Sequence, residues 1–157
     1  MVIIGSDHTG IDLKKKIIKH LEKEKINYLD VTNYKDQSGD DYPDIAYTIC
    51  KKVLEKSNNL GIAICGTGIG ISIACNKIKG IRAALCTDEY MAQMARIHNN
   101  ANVLSLGARL NNSNEKSILI VDSFINNFYE GGRHDRRLEK IRRIEELEQK
   151  NGDDKTI

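Results

Sequence analysis

Short apolar runs alternate along the chain with longer segments in which apolar residues recur every three or four positions. The runs predict strands buried on both faces of a sheet, because they lack the polar alternation of half-exposed strands. The longer segments predict helices with one apolar side. The predicted strands are Val2–Gly5, Ile26–Val31, Leu60–Cys65, Ile81–Cys86 and Asn102–Leu106.

A helical pattern follows each of these predicted strands. Consecutive strand–helix units predict an α/β fold: a doubly wound, Rossmann-like α/β/α arrangement of three layers around a five-stranded parallel sheet. Arg133–Lys150 predicts an extra, highly charged C-terminal helix. We expect a single domain over residues 1–150 and a disordered tail over residues 151–157.

Three local patterns mark where helices begin. Tyr42-Pro43-Asp44 opens the second helix, because proline and acidic residues suit a first turn. Thr87 is the predicted cap of the fourth helix, and Asn112 with Glu115 predicts a capping box for the fifth.

Composition narrows the class of protein. The chain has 24 basic and 22 acidic residues, no Trp and 5% aromatic residues, which disfavours a nucleic-acid partner. Residues 57–76 carry no charge and are long enough to span a bilayer, but four Gly and three Asn lie among them. They predict a buried strand, a glycine turn and a buried helix, so we expect no membrane contact.

The four cysteines, at positions 50, 65, 75 and 86, form no Cys-x-x-Cys pair. The first apolar run reaches Asp7 too soon for a secretory leader. We therefore expect reduced thiols in a cytoplasmic protein.

Candidate chemistry begins at the end of the third strand, where Cys65-Gly66-Thr67-Gly68-Ile69-Gly70 leads into a helix. The backbone N–H groups of such a turn can converge on an anion at the positive end of the helix. A tight strand-to-helix turn requires the same glycines without any ligand. The spacing fits neither the dinucleotide fingerprint nor the phosphate loop of NTPases.

Cys65 is a candidate reactive thiolate, because the positive end of a helix favours the ionised form of a neighbouring cysteine. A buried, inert thiol is the alternative for Cys65. It is also the expectation for Cys50, Cys75 and Cys86.

Further polar residues fall where a ligand crevice is expected. Asp7-His8 lies at the carboxyl end of the first strand, where doubly wound sheets bind ligands. His98-Asn99 closes the fourth helix, where a histidine can also serve only as a cap. Arg133 and Arg137 share one helix face and could clamp a phosphate or form a solvated surface. Together these groups suit proton transfer on a small phosphorylated molecule.

Several longer motifs occur together over residues 1–147. They are Gly5-Ser6-Asp7-His8-Thr9-Gly10, Asp41-Tyr42-Pro43-Asp44, Cys65-Gly66-Thr67-Gly68-Ile69-Gly70, Asn76-Lys77, Gly80-Ile81-Arg82-Ala83, Arg96-Ile97-His98-Asn99-Asn100-Ala101-Asn102-Val103-Leu104 and Tyr129-Glu130-Gly131-Gly132-Arg133-His134. In this order and spacing they resemble type B ribose-5-phosphate isomerases, a family shared with galactose-6-phosphate isomerase subunits.

The resemblance implies an aldose–ketose isomerase that interconverts ribose 5-phosphate and ribulose 5-phosphate through an enediolate, within the pentose phosphate pathway. It implies that neither a metal nor a cofactor is needed. Cys65 is the implied base that moves a proton between C2 and C1, and Thr67 the group that helps to move the hydroxyl proton. His98 is the implied acid that opens the furanose ring.

The same resemblance implies a set of substrate-binding residues for the sugar hydroxyls, the oxyanion and the phosphate. They are Asp7, His8, Tyr42, Gly66, Thr67, Gly68, Ile69, Gly70, Asn99, Arg109, Arg133 and Arg137. It also implies a homodimer, or a tetramer, in which two chains contribute to each site. A six-carbon sugar phosphate isomerase, acting on galactose 6-phosphate or allose 6-phosphate, and a non-catalytic phosphosugar-binding module are the alternatives.

Overall fold

Five parallel strands form one sheet with the order β2-β1-β3-β5-β4. The computed structural model describes residues 1–32, 41–110 and 114–153. The strands are β1 Val2–Ser6, β2 Tyr28–Asp30, β3 Leu60–Cys65, β4 Ala83–Leu85 and β5 Val103–Gly107. The helices are α1 Ile11–Lys23, α2 Tyr42–Val53, α3 Ile69–Cys75, α4 Glu89–Ile97, α5 Asn114–Ile125 and α6 Asp135–Asp153, with 3₁₀ turns at His8–Gly10 and Gly132–His134. This architecture confirms the predicted doubly wound α/β fold.

Two apolar layers enclose the sheet, because successive residues of a strand point to opposite faces. On one face Ile62 and Ile64 pack with buried residues of α1, α4 and α5. On the other face Ala63 and Cys65 pack with buried residues of α2 and α3. Cys65 is the last residue of β3, so its side chain lies at the carboxyl edge of the sheet, on the side of α2 and α3.

The predicted strands differ from the observed ones chiefly at the edges of the sheet. β2 and β4, which each pair with a single neighbour, comprise three residues, against six predicted for each. Ile81 and Cys86 flank β4 and are nonetheless 3% and 2% exposed. Hydrophobicity therefore predicted burial correctly there but overestimated how far the hydrogen-bonded pairing extends.

Two helix boundaries need correction. Thr87 is not the cap of α4, because Asp88 occupies that position and its Oδ1 accepts a hydrogen bond from the Met91 amide at 2.8 Å. A capping oxygen serves an amide two or three residues ahead, and both residue types suit the role, so the sequence pattern was one residue off. α6 runs from Asp135 to Asp153 rather than from residue 133 to residue 150, so Arg133 lies in the preceding 3₁₀ turn and not on one helix face with Arg137. The predicted capping residue Asn112 and residues 154–157 lie outside the described residues.

The uncharged stretch at residues 57–76 folds as β3, the glycine turn and α3, as predicted. Among the described residues, no helix combines the length and the apolar character needed to cross a membrane.

A buried ammonium group ties α1 to the ends of two strands. Lys14 is 4% exposed and donates to both carboxylate oxygens of Asp30, at 2.9 and 2.7 Å. It also donates to the Thr32 hydroxyl at 3.0 Å, and that hydroxyl accepts the Ser6 amide at 3.1 Å. The cluster thus fixes the backbone immediately before Asp7.

Replacing Lys14 by methionine is expected to lower the free energy of unfolding by about 3 kcal/mol, because it leaves a partly buried carboxylate without its cation. Urea denaturation of the purified variant measures this. The matched control is Lys52→Met, since Lys52 donates to Glu55 at 2.7 Å on an exposed helix surface. We expect that change to cost less than about 1 kcal/mol. Equal losses of unfolding free energy in the two variants would contradict the stabilising role of the buried Lys14–Asp30 pair.

Candidate active site

A cavity of about 310 Å³ opens at the carboxyl edge of the sheet, where β1 and β3 end side by side. This is the edge at which doubly wound sheets bind ligands. The lining residues are Asp7, His8, Thr9, Tyr42, Cys65, Gly66, Thr67, Gly70 and Arg109. All of them except Thr9 were candidate site residues from the sequence.

Cys65 lines this cavity while remaining 5% exposed. Its Sγ accepts a hydrogen bond from the Gly68 amide at 3.2 Å. A fixed N–H donor suits a thiolate that must take up a proton, because hydrogen bonds to an ionised acceptor are stronger than neutral ones.

Gly68 makes that contact possible through a backbone conformation that favours glycine. Its φ is +75°, and a Cβ at this position would lie 2.5 Å from a methyl group of Leu85 and 2.9 Å from the carbonyl carbon of Leu106. The steric interpretation of the glycine turn is therefore confirmed, and its role in binding an anion stays a prediction. The turn needs glycine sterically, and it also aims an amide at the thiol.

The other cysteines are buried as packing residues, as predicted. Burial raises the pKa of Cys86 to about 12. A hydrogen bond with Cys50, together with burial, raises the pKa of Cys75 well above its ordinary value. Cys75 and Cys86 therefore stay protonated at neutral pH.

Two predicted residues, Gly68 and Ile69, do not line the cavity but act through their amides. The Gly68 amide faces the thiol, and the Ile69 amide donates to the Thr67 hydroxyl at 3.3 Å. Since that hydroxyl oxygen accepts from Ile69, its own hydrogen can point to a ligand. Tyr42 covers the end of the loop, and a Cβ on Gly70 would lie 2.9 Å from its ring.

Acidic and basic groups flank the thiol. Asp7 is 6% exposed, and its Oδ1 accepts both the amide and the hydroxyl of Thr9, at 2.9 and 2.5 Å. His8 and Arg109 are exposed beside it, and the Arg109 amide donates to the Gly66 carbonyl at 2.8 Å. The sequence did contain a signal for Thr9, since an acidic residue two positions before a threonine is typical of a side-chain-capped turn.

A second polar cluster lies at the opposite edge of the sheet. α4 runs back from the end of β4, so His98 and Asn99, which follow the helix, lie near the amino ends of the strands. The Arg82 guanidinium, directly before β4, donates to the Asn99 carbonyl at 3.0 Å. The His134 ring stacks on His98, with ring centroids 4.3 Å apart and planes inclined by 17°.

His134 is flanked by both arginines of the predicted phosphate clamp. Arg133 Nε donates to its Nε2 at 3.3 Å, and Arg137 Nη1 lies 3.5 Å from its Nδ1. Burial lowers the pKa of His134, and the positive charges of His98, Arg133 and Arg137 lower it further, while Glu130 opposes them. His134 is therefore neutral at physiological pH and adds no positive charge beside His98. Sequence reasoning missed this role, because no local pattern predicts a stack between residues 36 positions apart.

His98, Glu130 and His134 bring potential metal-binding atoms within 4.8 Å of one another. The two guanidinium groups against the nitrogens of His134 disfavour a cation there, because like charges repel at this distance. The electrostatics of the cluster suit an anion instead.

The two clusters are far apart within one chain. β3 has six residues, so its ends lie roughly 17 Å apart. Cys65 stands at one edge of the sheet and His98 at the other. The residues that line the thiol cavity include none of His98, Asn99, Arg133 and Arg137 in the part of the chain that the structure describes. Within one chain, these residues therefore lie in two separate clusters, whereas the sequence pattern predicted a single crevice for them.

Comparison with known proteins assigns the family. The sequence model of the Ribose/Galactose Isomerase family matches residues 2–141. The chain belongs to this family. Membership confirms the resemblance inferred from the motifs, and with it the class of enzyme, an isomerase of sugar phosphates.

Three relatives illustrate the range of the Ribose/Galactose Isomerase family. Ribose-5-phosphate isomerase B of Escherichia coli is 41% identical over 145 residues, 92% of this chain and 96% of that protein. D-erythrulose-4-phosphate isomerase of Pectobacterium atrosepticum is 41% identical over 143 residues, 89% of this chain and 91% of that protein. The crystal structure of ribose-5-phosphate isomerase B from Mycoplasma genitalium with bound ribulose-5-phosphate has a TM-score of 0.86 and 46% identity, covering 92% of this chain and 95% of that one.

Proposed function

We propose that this isomerase interconverts ribose 5-phosphate and ribulose 5-phosphate, with Cys65 as the base. The observation that carries the proposal is the position of Cys65, which lines an open cavity at the carboxyl edge and whose Sγ accepts a fixed backbone N–H. The relative from Mycoplasma genitalium, solved with bound ribulose-5-phosphate, supports the choice of a five-carbon substrate.

The reaction moves one proton between neighbouring carbons. In the open-chain aldose, the carbonyl at C1 acidifies the proton on C2, and the Cys65 thiolate removes it to give an enediolate. The same thiol then delivers a proton to C1, while the hydroxyl proton of O2 moves to O1. Thr67 is suited to this second transfer because its oxygen already accepts the Ile69 amide, which leaves its hydrogen to share with substrate.

Negative charge develops on the substrate's carbonyl oxygen as the enediolate forms, so hydrogen-bond donors near that oxygen lower the activation barrier. The amides of Gly66, Thr67 and Gly70 lie around the start of α3, where helical N–H groups lack partners within the helix, while those of Gly68 and Ile69 already donate to Cys65 and Thr67. Preorganised donors of this kind often supply the largest single contribution to catalysis. No change of backbone conformation is needed to present them, because the turn is fixed by Gly68 and by Tyr42 against Gly70.

A complete site requires two chains. The thiol cavity supplies the base, Asp7 and two phosphate-binding groups, His8 and Arg109. The opposite edge of the sheet supplies the ring-opening acid His98, the hydroxyl-binding Asn99 and the remaining phosphate-binding groups, Arg133 and Arg137. In a two-fold homodimer the first half-site of each chain can face the second half-site of the other.

The surface of α6 supports this dimer. Ile141, Ile144 and Leu147 are 41%, 60% and 60% exposed, and they lie at helical spacing on one side of the helix. Such an apolar stripe on an otherwise highly charged helix fits burial against a second copy of the chain. The Gly80 amide, which donates to Glu145 at 3.2 Å, holds the helix in place.

The chemistry also indicates the compartment. A thiolate base must stay reduced, and all four cysteines are free. Reduced thiols persist in the cytoplasm, where we place the enzyme.

The substrate range is tested with a panel of sugar phosphates. Purified enzyme is incubated with ribose 5-phosphate, erythrose 4-phosphate, allose 6-phosphate and galactose 6-phosphate, and ketose formation gives kcat/KM for each. We expect ribose 5-phosphate to exceed the others by about tenfold or more, since each ill-fitting carbon costs about 1–3 kcal/mol. A higher kcat/KM for a six-carbon substrate would favour the alternative suggested by the family's galactose branch.

A further inference from the structure

Thr9 lines the thiol cavity but has no part in the proton transfers described above. It lies in the short 3₁₀ turn after Asp7. A Cβ on Gly66 would lie 3.5 Å from the Thr9 Oγ1, so this hydroxyl also borders the glycine loop.

Both hydrogen bonds from Thr9 reach the same oxygen of Asp7. Oδ1 accepts the Thr9 amide at 2.9 Å and the Thr9 hydroxyl at 2.5 Å. A carboxylate oxygen has two lone pairs, so these bonds saturate Oδ1. Among the described residues, no donor reaches Oδ2, which leaves that oxygen as the acceptor for a ligand.

The turn itself does not need the hydroxyl. Asp7 caps it through the Thr9 amide, which any residue except proline would supply at that position. The hydroxyl bond is additional, and it fixes the rotation of the carboxylate about its last bond. The Asp7 backbone is fixed separately, because its amide donates to the Ile64 carbonyl at 3.1 Å.

We propose that the Thr9 hydroxyl is a positioning group that holds Oδ2 of Asp7 toward the hydroxyl groups of the sugar. This inference rests on the proposed function, in which Asp7 binds sugar hydroxyls. Thr9 thereby raises the affinity for the polyhydroxyl part of the substrate and leaves phosphate binding and proton transfer unaffected.

The test compares Thr9→Val, which keeps the shape and removes the hydroxyl, with Thr9→Ser, which keeps the hydroxyl. For Thr9→Val we expect KM for ribose 5-phosphate to rise roughly tenfold, since a hydrogen bond to a charged group is lost. kcat should change much less. The dissociation constant of ribitol 5-phosphate, an unreactive polyol, should rise in parallel, and Thr9→Ser should restore both values.

Two controls separate positioning from a general loss of structure. Thr48→Val removes a hydroxyl that donates to the Asp44 carbonyl at 3.0 Å on the exposed side of α2, and it should leave KM unchanged. The inhibition constant of inorganic phosphate should be the same in wild type and Thr9→Val, because phosphate makes no use of Asp7. If Thr9→Val does not fold, Thr9→Ala provides the same comparison without the branched side chain.

Unchanged KM and unchanged ribitol 5-phosphate affinity in Thr9→Val would overturn the inference. So would a Thr9→Ser variant as weak as Thr9→Val, or failure of both Thr9→Val and Thr9→Ala to fold, since Thr9 would then be structural. A wild-type enzyme without activity on ribose 5-phosphate would refute the proposed function instead. The ribitol 5-phosphate measurement, which needs no turnover, would still judge Thr9 in that case.

Discussion

Replacing Cys65 by alanine is expected to lower kcat for ribose 5-phosphate by about 10³-fold, because the variant has no group to accept the C2 proton. Cys65→Ser should be similarly inactive, since an alkyl hydroxyl does not ionise at neutral pH. The cavity and its amides remain in both variants, so KM should change far less than kcat. Steady-state ketose formation measures both constants.

The control for Cys65 is Cys86→Ala. Cys86 is 2% exposed and lies beside β4, away from the thiol cavity. That variant should keep nearly all of its kcat even if its stability falls by a few kcal/mol. Full turnover by Cys65→Ala would remove the assigned mechanism.

Mixing two inactive variants is expected to restore activity. Cys65→Ala removes the proposed base and His98→Asn removes the proposed ring-opening acid, so each homodimer should retain less than about 1% of wild-type turnover. In a mixed dimer, one of the two sites combines the intact Cys65 of one chain with the intact His98 of the other. Random reassociation makes half of the dimers mixed, so activity should recover to about a quarter of the wild-type value.

Differently tagged chains allow the mixed dimers to be purified before the assay. The isolated mixed dimer should then reach about half of wild-type turnover, because one site in two is intact. Mixed dimers that stay inactive would contradict a site shared between chains. They would require Cys65 and His98 to meet within one chain, against their positions at opposite edges of the sheet.

The residues of the thiol cavity at the carboxyl edge were predictable because the topology of the sheet brings them together. Parallel strands place the residues after β1 and β3 at the same edge of the sheet, and the observed pairing of β1 with β3 brings them side by side. Asp7, His8 and Cys65 therefore line one cavity. The glycines after Cys65 also predict a tight turn, in which Gly68 has a positive φ.

The cluster of His98 and His134 at the amino edge could not be predicted from the sequence. That His98 lies at the amino edge does follow from topology, because a helix between parallel strands runs back along them. The stack of His134 on His98 depends instead on the path of the segment between α5 and α6, which has no periodic signal. Roles for His98, Arg133 and Arg137 came from motif resemblance rather than from physical patterns.

The smaller errors in strand and helix boundaries share one cause, which is that the sequence pattern does not show which hydrogen bonds form. Ile81 and Cys86 are buried as expected but lie outside the paired part of β4. Thr87 and Asp88 are adjacent, and both residue types can cap a helix. The hydrogen bond from the Met91 amide identifies Asp88 as the cap of α4.

Exchange of substrate hydrogen with deuterium from the solvent measures the proposed proton transfer by the Cys65 thiol. Ribose 5-phosphate and enzyme are held in deuterium oxide over many turnovers, and nuclear magnetic resonance follows C1 of ribulose 5-phosphate and C2 of ribose 5-phosphate. We expect deuterium to enter both positions with the wild type and to enter neither position with Cys65→Ala. Isomerisation to equilibrium with no deuterium in either sugar, or equal incorporation by Cys65→Ala, would contradict this expectation.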